Sequence, residues 1–133
     1  WSLHDYVCLL GSRTQGEVLE RYWSAHLYVL PCVLGSDGNR DGLPVSIVEA
    51  LACGLPVVTT PMTGIPEVVR NRYNGLLVPD GDPKALADAI ESVIQDAHLY
   101  ERLRANARAS VASTFDLGLT AAALERLFEE ERA

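Results

Sequence analysis

Short apolar runs alternate with amphipathic segments through residues 1–80 of the chain. Four of the runs are almost continuously apolar and are closed by glycine, proline or polar residues, as strands buried in a parallel sheet are. The four predicted strands are Val7–Leu10, Leu27–Leu30, Pro56–Thr59 and Gly75–Val78.

The segments between these runs carry helix signals. Thr14 and Glu17 have the spacing of a capping box, and Pro44 suits the first turn of a helix that Gly54 ends. The predicted helices are Gln15–Ser24, with Val18, Leu19 and Tyr22 on one face, then Pro44–Ala52, then a short turn Pro66–Val69.

Only helical patterns follow Val78. Asp82 and Pro83 are a cap and a first helical residue, respectively. The first predicted helix starts at Pro83, and its buried face consists of Leu86, Ile90, Val93, Ile94 and Ala97. The second runs from about Leu99 to Ser113 and is predicted to bury Leu103, Ala107 and Val111. The third runs from about Leu117 to Glu130 and is predicted to bury Leu124, Leu127 and Phe128.

The alternation of strands and helices predicts an α/β fold, with a parallel sheet covered by helices on both faces and a C-terminal helical tail. In such sheets ligands bind beyond the carboxyl ends of the strands. Loops 11–14 and 31–43 both follow predicted strands at that edge. The functional site is therefore expected there.

Composition narrows the classes of function. The 133 residues fit one domain, and 11 basic against 18 acidic residues give a net charge of −7, which argues against a nucleic-acid or anionic-membrane surface. The three cysteines, Cys8, Cys32 and Cys53, are predicted to be buried free thiols in a reducing cytoplasm. The three histidines are isolated in the sequence, so no metal site is expected.

One charged residue is out of place in this pattern. Between Leu43 and Pro66, Glu49 is the only side chain that is charged at neutral pH. A buried carboxylate without a partner costs several kcal/mol. Glu49 therefore points outward, pairs with an arginine from elsewhere, or accepts hydrogen bonds from a bound ligand.

The segment before Glu49 favours a ligand that carries phosphate. A glycine-containing loop leads into a helix N-terminus, where free backbone N–H groups and the helix dipole attract anions. Pro44 has no N–H group, so Val45 and Ser46 must supply the amides. Such a ligand would place phosphate at this point and hydroxyl groups along the helix, within reach of Glu49. A nucleotide sugar has both groups.

At these residues the chain resembles the retaining glycosyltransferases of the GT-B class, commonly called glycosyltransferase family 4. The family pattern places a carboxylate, seven residues and then Glu, as in "DGLPVSIVE", followed by "EALACGLPVV" and "GIPEVV". "YNGLLVPDGDPKALADAI", "VCLLG" and "LYVLP" are similar to neighbouring family segments. The chain departs from the pattern at Asp41, where Glu is usual, and at Leu43-Pro44, where Phe-Gly is usual.

The resemblance implies the roles of the site residues. Glu49 binds the ribose hydroxyls, Asp41 contacts the sugar of the donor, and both belong to the catalytic centre. Ser12 and Arg13 lie near the base, and Glu67 is either part of the site or simply a charge in the first turn of a helix. The donor-binding residues implied are Ser12, Arg13, Asp41, Gly42, Leu43, Val45, Ser46, Glu49 and Gly64.

The resemblance also implies that the sequence is part of a longer protein. The fold is expected to be an incomplete Rossmann-like domain, the C-terminal half of a GT-B fold, with its first two strands and an N-terminal acceptor domain outside residues 1–133. The missing strands lie between the first two strands seen here, so a gap in the sheet is expected, and the chain alone is expected to be inactive. No cofactor or metal is expected. A peripheral membrane contact is expected only through the absent half, and the location is cytoplasmic.

Three functions remain open at this point. The first is the donor-binding part of a glycosyltransferase that transfers a glycosyl group with retained configuration. The second is a non-catalytic nucleotide-sugar-binding module, which Asp41 favours. The third is an interaction domain in which the helical tail docks another domain.

Overall fold

The structure, a computed structural model, describes residues 3–33, 42–112 and 114–130. Three parallel strands form one sheet in the order β1-β2-β3, with Tyr28 opposite Val57 and Val57 opposite Gly75. The elements in chain order are α1 (Gln15–Ser24), β1 (Tyr28–Leu30), α2 (Val45–Ala52), β2 (Val57–Thr59), α3 (Ile65–Val68), β3 (Gly75–Leu77), α4 (Pro83–Gln95), α5 (Ala97–Ala112) and α6 (Leu117–Glu130). The predicted parallel sheet with flanking helices is confirmed.

Two apolar clusters lie on opposite faces of the sheet, because successive side chains of a strand point to opposite sides. Val57 packs with α2 and α3 on one face, and Val58 packs with α4 on the other. Helix α5 contributes to both: Leu103 belongs to the cluster around Val58, and Ala107 belongs to the cluster around Val57. The helices therefore cover both faces, as the apolar strands predict.

Local capping signals in the sequence are realised as hydrogen bonds. The Thr14 side chain accepts from the Glu17 amide while the Glu17 carboxylate accepts from the Thr14 amide, which is a complete capping box. The Asp82 carboxylate accepts from the Ala85 amide at 2.9 Å and caps α4. Pro44 is the N-cap of α2, which begins one residue later than predicted.

The predicted strand Val7–Leu10 is wrong. Residues 7–10 have no strand assignment, and Leu9 is 93% exposed. An extended segment becomes a strand only where another strand accepts and donates its backbone hydrogen bonds. Among the described residues no strand lies beside this segment. Cys8, predicted to be buried, is exposed with it, while Cys32 and Cys53 are half-buried.

The predicted burial of the last helix is also wrong. Helix α6 has the predicted bounds, but Leu124, Leu127 and Phe128 are 50%, 59% and 64% exposed, and no residue of this helix is buried. On α4, Ile94 is 74% exposed, although Val93 is buried as predicted. The three side chains of α6 share an apolar face that the described part of the chain leaves largely exposed. Within the described residues, no helix has the length and apolar character needed to cross a membrane.

Candidate functional site

The N-terminus of α2 lies at the carboxyl edge of the sheet and differs from those of α1 and α4. Its N-cap, Pro44, makes no side-chain capping hydrogen bond, and its first turn, like that of α4, contains no acidic residue. Thr14 and Asp82 occupy the corresponding positions of the other two helices and do cap them. The positive end of the α2 dipole is thus not compensated by a side chain of its own first turn, which suits an anionic ligand.

The turn between β2 and α3 packs against the segment that leads into α2. The Gly64 amide donates to the Gly42 carbonyl at 3.1 Å. A Cβ atom at Gly64 would stand 3.4 Å from that carbonyl oxygen and 3.5 Å from the Cβ of Leu43. The structure therefore brings Gly64 against Gly42 and Leu43, three of the residues in the predicted site.

Glu49 lies in the middle of α2 and is half-buried. The hydroxyl of Tyr22, on α1, lies near enough to the Glu49 carboxylate for the carboxylate to help raise its pKa. Tyr22 is only 9% exposed, and its ring meets that of Tyr28 edge-on with centroids 5.7 Å apart. The ion pairs of the described residues do not include Glu49.

The charge of Glu49 acts on two neighbours. Burial, then the electrostatic interaction with the Tyr28 phenol group, and then the Glu49 carboxylate raise the pKa of Tyr22 to about 12. Burial, followed by the Glu49 charge, also raises the pKa of the Cys53 thiol, against a smaller opposite effect of Arg108. The carboxylate therefore lies near Tyr22 of α1 and near Cys53 at the C-terminal end of its own helix.

Of the three explanations for Glu49, outward exposure does not describe this half-buried position. The Tyr22 hydroxyl lies near it, from a residue that the sequence-based prediction assigned only to the inner face of α1. An ionised carboxylate has about four lone-pair sites. A single hydrogen bond from a neighbouring hydroxyl would use one of them and leave others for a ligand.

Ser12 and Arg13 are not brought against α2. Both are exposed, and the Arg13 guanidinium donates to the Glu17 carboxylate at 3.3 Å. They precede α1, whereas Tyr22 is about two turns further along it, or roughly 12 Å at 1.5 Å per residue. No hydrogen bond among the described residues joins this loop to α2.

Two further residues complete the set singled out from the sequence. Glu67 is exposed in the first turn of α3, where it faces solvent. Asp41 lies outside the described residues. The described part of the chain contains no group of three His, Cys, Asp or Glu side chains that could hold a metal ion.

The chain matches the protein family described as "Glycosyl transferases group 1" over residues 2–110. It belongs to this family. The amylovoran biosynthesis glycosyltransferase AmsK of Erwinia amylovora is 34% identical over 127 residues, which are 96% of this chain and 31% of that protein. A phosphatidyl-myo-inositol mannosyltransferase of Mycobacterium leprae is also 34% identical over 127 residues, 96% of this chain and 32% of that protein.

Solved structures support the same assignment. A sucrose-phosphate synthase from Thermosynechococcus elongatus superposes with a TM-score of 0.83 and 28% identity, over 96% of this chain and 31% of that one. Anabaena HepE in complex with UDP gives a TM-score of 0.82 and 26% identity, over 96% of this chain and 33% of that one. The fold is that of the Rossmann-like C-terminal domain of GT-B proteins. The chain spans about a third of the length of these relatives.

Proposed function

We propose that the chain is the nucleotide-sugar-binding part of a retaining GT-B glycosyltransferase of family 4. In this proposal the N-terminal acceptor domain and the first strands of the donor domain lie outside residues 1–133. The observation that carries it is the likeness to HepE, solved in complex with UDP and with UDP-glucose, which covers 96% and 81% of this chain. The polysaccharide-biosynthesis glycosyltransferases among its relatives support it further.

The N-terminus of α2 is the proposed diphosphate site. The amides of Val45 and Ser46 supply the donors, because Pro44 has none. Gly42 and Leu43 approach the sugar through the backbone, and Gly64 holds this segment through the hydrogen bond to Gly42. Fixed amides directed at a departing diphosphate stabilise the charge that develops on it, which is the main source of catalysis proposed here.

Glu49 is the proposed partner of the ribose hydroxyls. Its half-buried position on α2 and its proximity to the Tyr22 hydroxyl of α1 support this role, since a carboxylate with about four lone-pair sites can accept from a neighbouring hydroxyl and from a ligand. Asp41 is the proposed contact to the donor sugar, on the strength of its spacing from Glu49. Ser12 and Arg13 are proposed to approach the base through main-chain atoms, which agrees with the pairing of the Arg13 side chain to Glu17.

The proposed reaction transfers a glycosyl group from a nucleoside diphosphate sugar to an acceptor, with the anomeric configuration retained and no metal cofactor. The acceptor binds in the absent half, so residues 1–133 alone are proposed to be inactive. Any peripheral membrane contact is likewise assigned to that half. A cytoplasmic location is proposed because nucleotide sugars are the substrates.

Two other functions each have an observation in their favour. Asp41, which stands where the family has Glu, favours a binding module that does not catalyse transfer. The exposed apolar side chains of α6, Leu117 at 84% and Phe128 at 64%, favour an interaction domain.

The experiment is incubation of the complete gene product with UDP-glucose, UDP-N-acetylglucosamine, GDP-mannose and their nucleotides. NMR detects donor hydrolysis or transfer and the anomeric configuration of the product, and calorimetry detects binding. Turnover with a retained configuration supports the enzyme. Binding of a nucleotide sugar without turnover supports the module, and no binding to any of these compounds contradicts both.

A further inference from the structure

The turn between β2 and α3, residues 60–64, is hydrogen-bonded to two segments that are apart in the sequence. The Thr60 hydroxyl donates to the Cys32 carbonyl at 2.6 Å, just after β1. The Gly64 amide donates to the Gly42 carbonyl at 3.1 Å, just before α2. One short segment thus holds both the end of β1 and the start of the Gly42–Ser46 site.

This turn is tightly constrained. The Met62 amide donates to the Thr60 carbonyl at 2.8 Å, and the Ile65 amide donates to the Met62 carbonyl at 2.9 Å. Between them Thr63 has a φ of +43°, a left-handed conformation that β-branched residues rarely adopt. A turn closed by successive hydrogen bonds transmits a displacement at one end to the other, because it has little freedom to absorb it.

Thr60 is placed to anchor this arrangement. Thr60 is 1% exposed, so its hydroxyl is shielded from competing water, and the Cys32 residue whose carbonyl accepts from it is half-buried. It stands one residue beyond Thr59, the last residue of the β1–β2 register. Its side chain therefore extends the connection between β1 and β2 past the point where the strands stop pairing.

We propose that Thr60 is a positioning residue for donor binding: its hydroxyl fixes residues 60–64, and through Gly64 it fixes the backbone of Gly42–Ser46 at the N-terminus of α2. This inference rests on the proposed function, because it assigns the nucleoside diphosphate to that helix end. Thr60 itself does not touch the ligand. Its loss acts on binding through the geometry of the amides.

Thr59 offers a matched control. Its hydroxyl donates to the Leu30 carbonyl at 2.7 Å, and the residue is fully buried. Thr59→Val and Thr60→Val therefore each remove one buried hydroxyl-to-carbonyl hydrogen bond with little change of shape. Only the second removes an anchor of the turn at the candidate site.

The test compares the wild type, Thr59→Val, Thr60→Val and Thr60→Ser in the complete gene product. Calorimetry measures affinity for the nucleotide sugar that the wild type binds, and hydrogen exchange follows peptides that span 42–48. We expect the two valine variants to lose similar stability. Thr60→Val should weaken binding about fivefold and speed exchange at 42–48, Thr59→Val should change the affinity less than twofold, and serine should restore the wild-type values.

The outcomes separate this inference from the proposed function. A wild type that binds none of the nucleotide sugars contradicts the proposed function and, with it, this role of Thr60. If the wild type binds a nucleotide sugar, the proposed function stands. The positioning role is overturned if both valine variants lose the same affinity, or if Thr60→Val loses none. If Thr60→Val does not fold, Thr60→Cys replaces it, because its thiol is a weaker hydrogen-bond donor than the hydroxyl. The affinity of Thr60→Cys for the nucleotide sugar should then be lower than that of the wild type and of Thr60→Ser, without being lost completely. An affinity equal to that of the wild type contradicts the inference.

Discussion

The hydroxyl of Tyr22 on α1 lies near the carboxylate of Glu49 on α2, and the carboxylate helps to raise its pKa. These residues come from helices on the same face of the sheet, and Tyr22 is itself among the buried residues of that face. A hydroxyl near the carboxylate offsets part of the cost of holding a charge in an apolar region.

Tyr22 makes stability sensitive to alkaline pH. Its pKa is raised from 10.0 to about 12 in the folded state, chiefly by burial, so the folded protein keeps a proton that the unfolded chain releases. The contribution of Tyr22 to the free energy of unfolding is complete below pH 10 and is lost as the pH rises from 10 to about 12. Denaturant unfolding across this range should show a decline in the free energy of unfolding that Tyr22→Phe reduces. The control Tyr6→Phe changes a residue that is 86% exposed and should leave the decline unaltered; equal declines in both variants would contradict the assignment.

Gly75 is required for the pairing of β3 with β2. A Cβ atom there would stand 2.4 Å from the Val57 carbonyl oxygen and 2.8 Å from Cγ1 of Val69. Gly75→Ala should lower the free energy of unfolding by about 2 kcal/mol or more, because backbone must move. Gly16→Ala, in α1 with no atom within 4 Å of the added Cβ, should raise it by about 0.5–1 kcal/mol. Thermal unfolding of both variants checks the pair, and a harmless Gly75→Ala would show that the strands are not this close.

Leucines of α5 and α6 should differ in their contribution to stability. Leu103 is fully buried, so Leu103→Ala should cost about 2–5 kcal/mol of the free energy of unfolding. Leu124 is 50% exposed, so Leu124→Ala should cost less than about 1 kcal/mol. Denaturant titration of the two variants measures both values. A large loss at Leu124 would mean that α6 is packed in solution.

Local sequence signals predicted the elements well because each depends on a few neighbouring residues. The capping box at Thr14 and Glu17 and the cap at Asp82 require contacts only three residues apart, and both are present. The apolar strands of the sheet were predicted because a buried parallel strand has few polar positions. Glu49 was recognised as unusual because it is the only charged residue in an otherwise apolar segment.

Packing partners could not be predicted in this way. An apolar pattern in the sequence shows that a segment is suited to burial, but it is the same whether or not another element covers that segment. Leu9 and Leu127 belong to such patterns, and both are exposed. The proximity of Tyr22 to Glu49 brings together residues of two helices that are separated by β1, and no local pattern encodes it. The hydrogen bond from Gly64 to Gly42 likewise depends on how two loops meet at the edge of the sheet.

The most direct measurement is calorimetric titration of the complete gene product and of its Glu49→Ala variant. The titrant is the nucleoside diphosphate of the nucleotide sugar that the wild type uses as donor. Glu20→Ala, which removes an exposed carboxylate of α1, is the control. We predict that Glu49→Ala weakens nucleotide binding about tenfold or more without unfolding the domain, because a charged hydrogen-bond acceptor of the ribose is lost, and that Glu20→Ala does not. An unchanged affinity in Glu49→Ala, together with increased stability, would contradict the account.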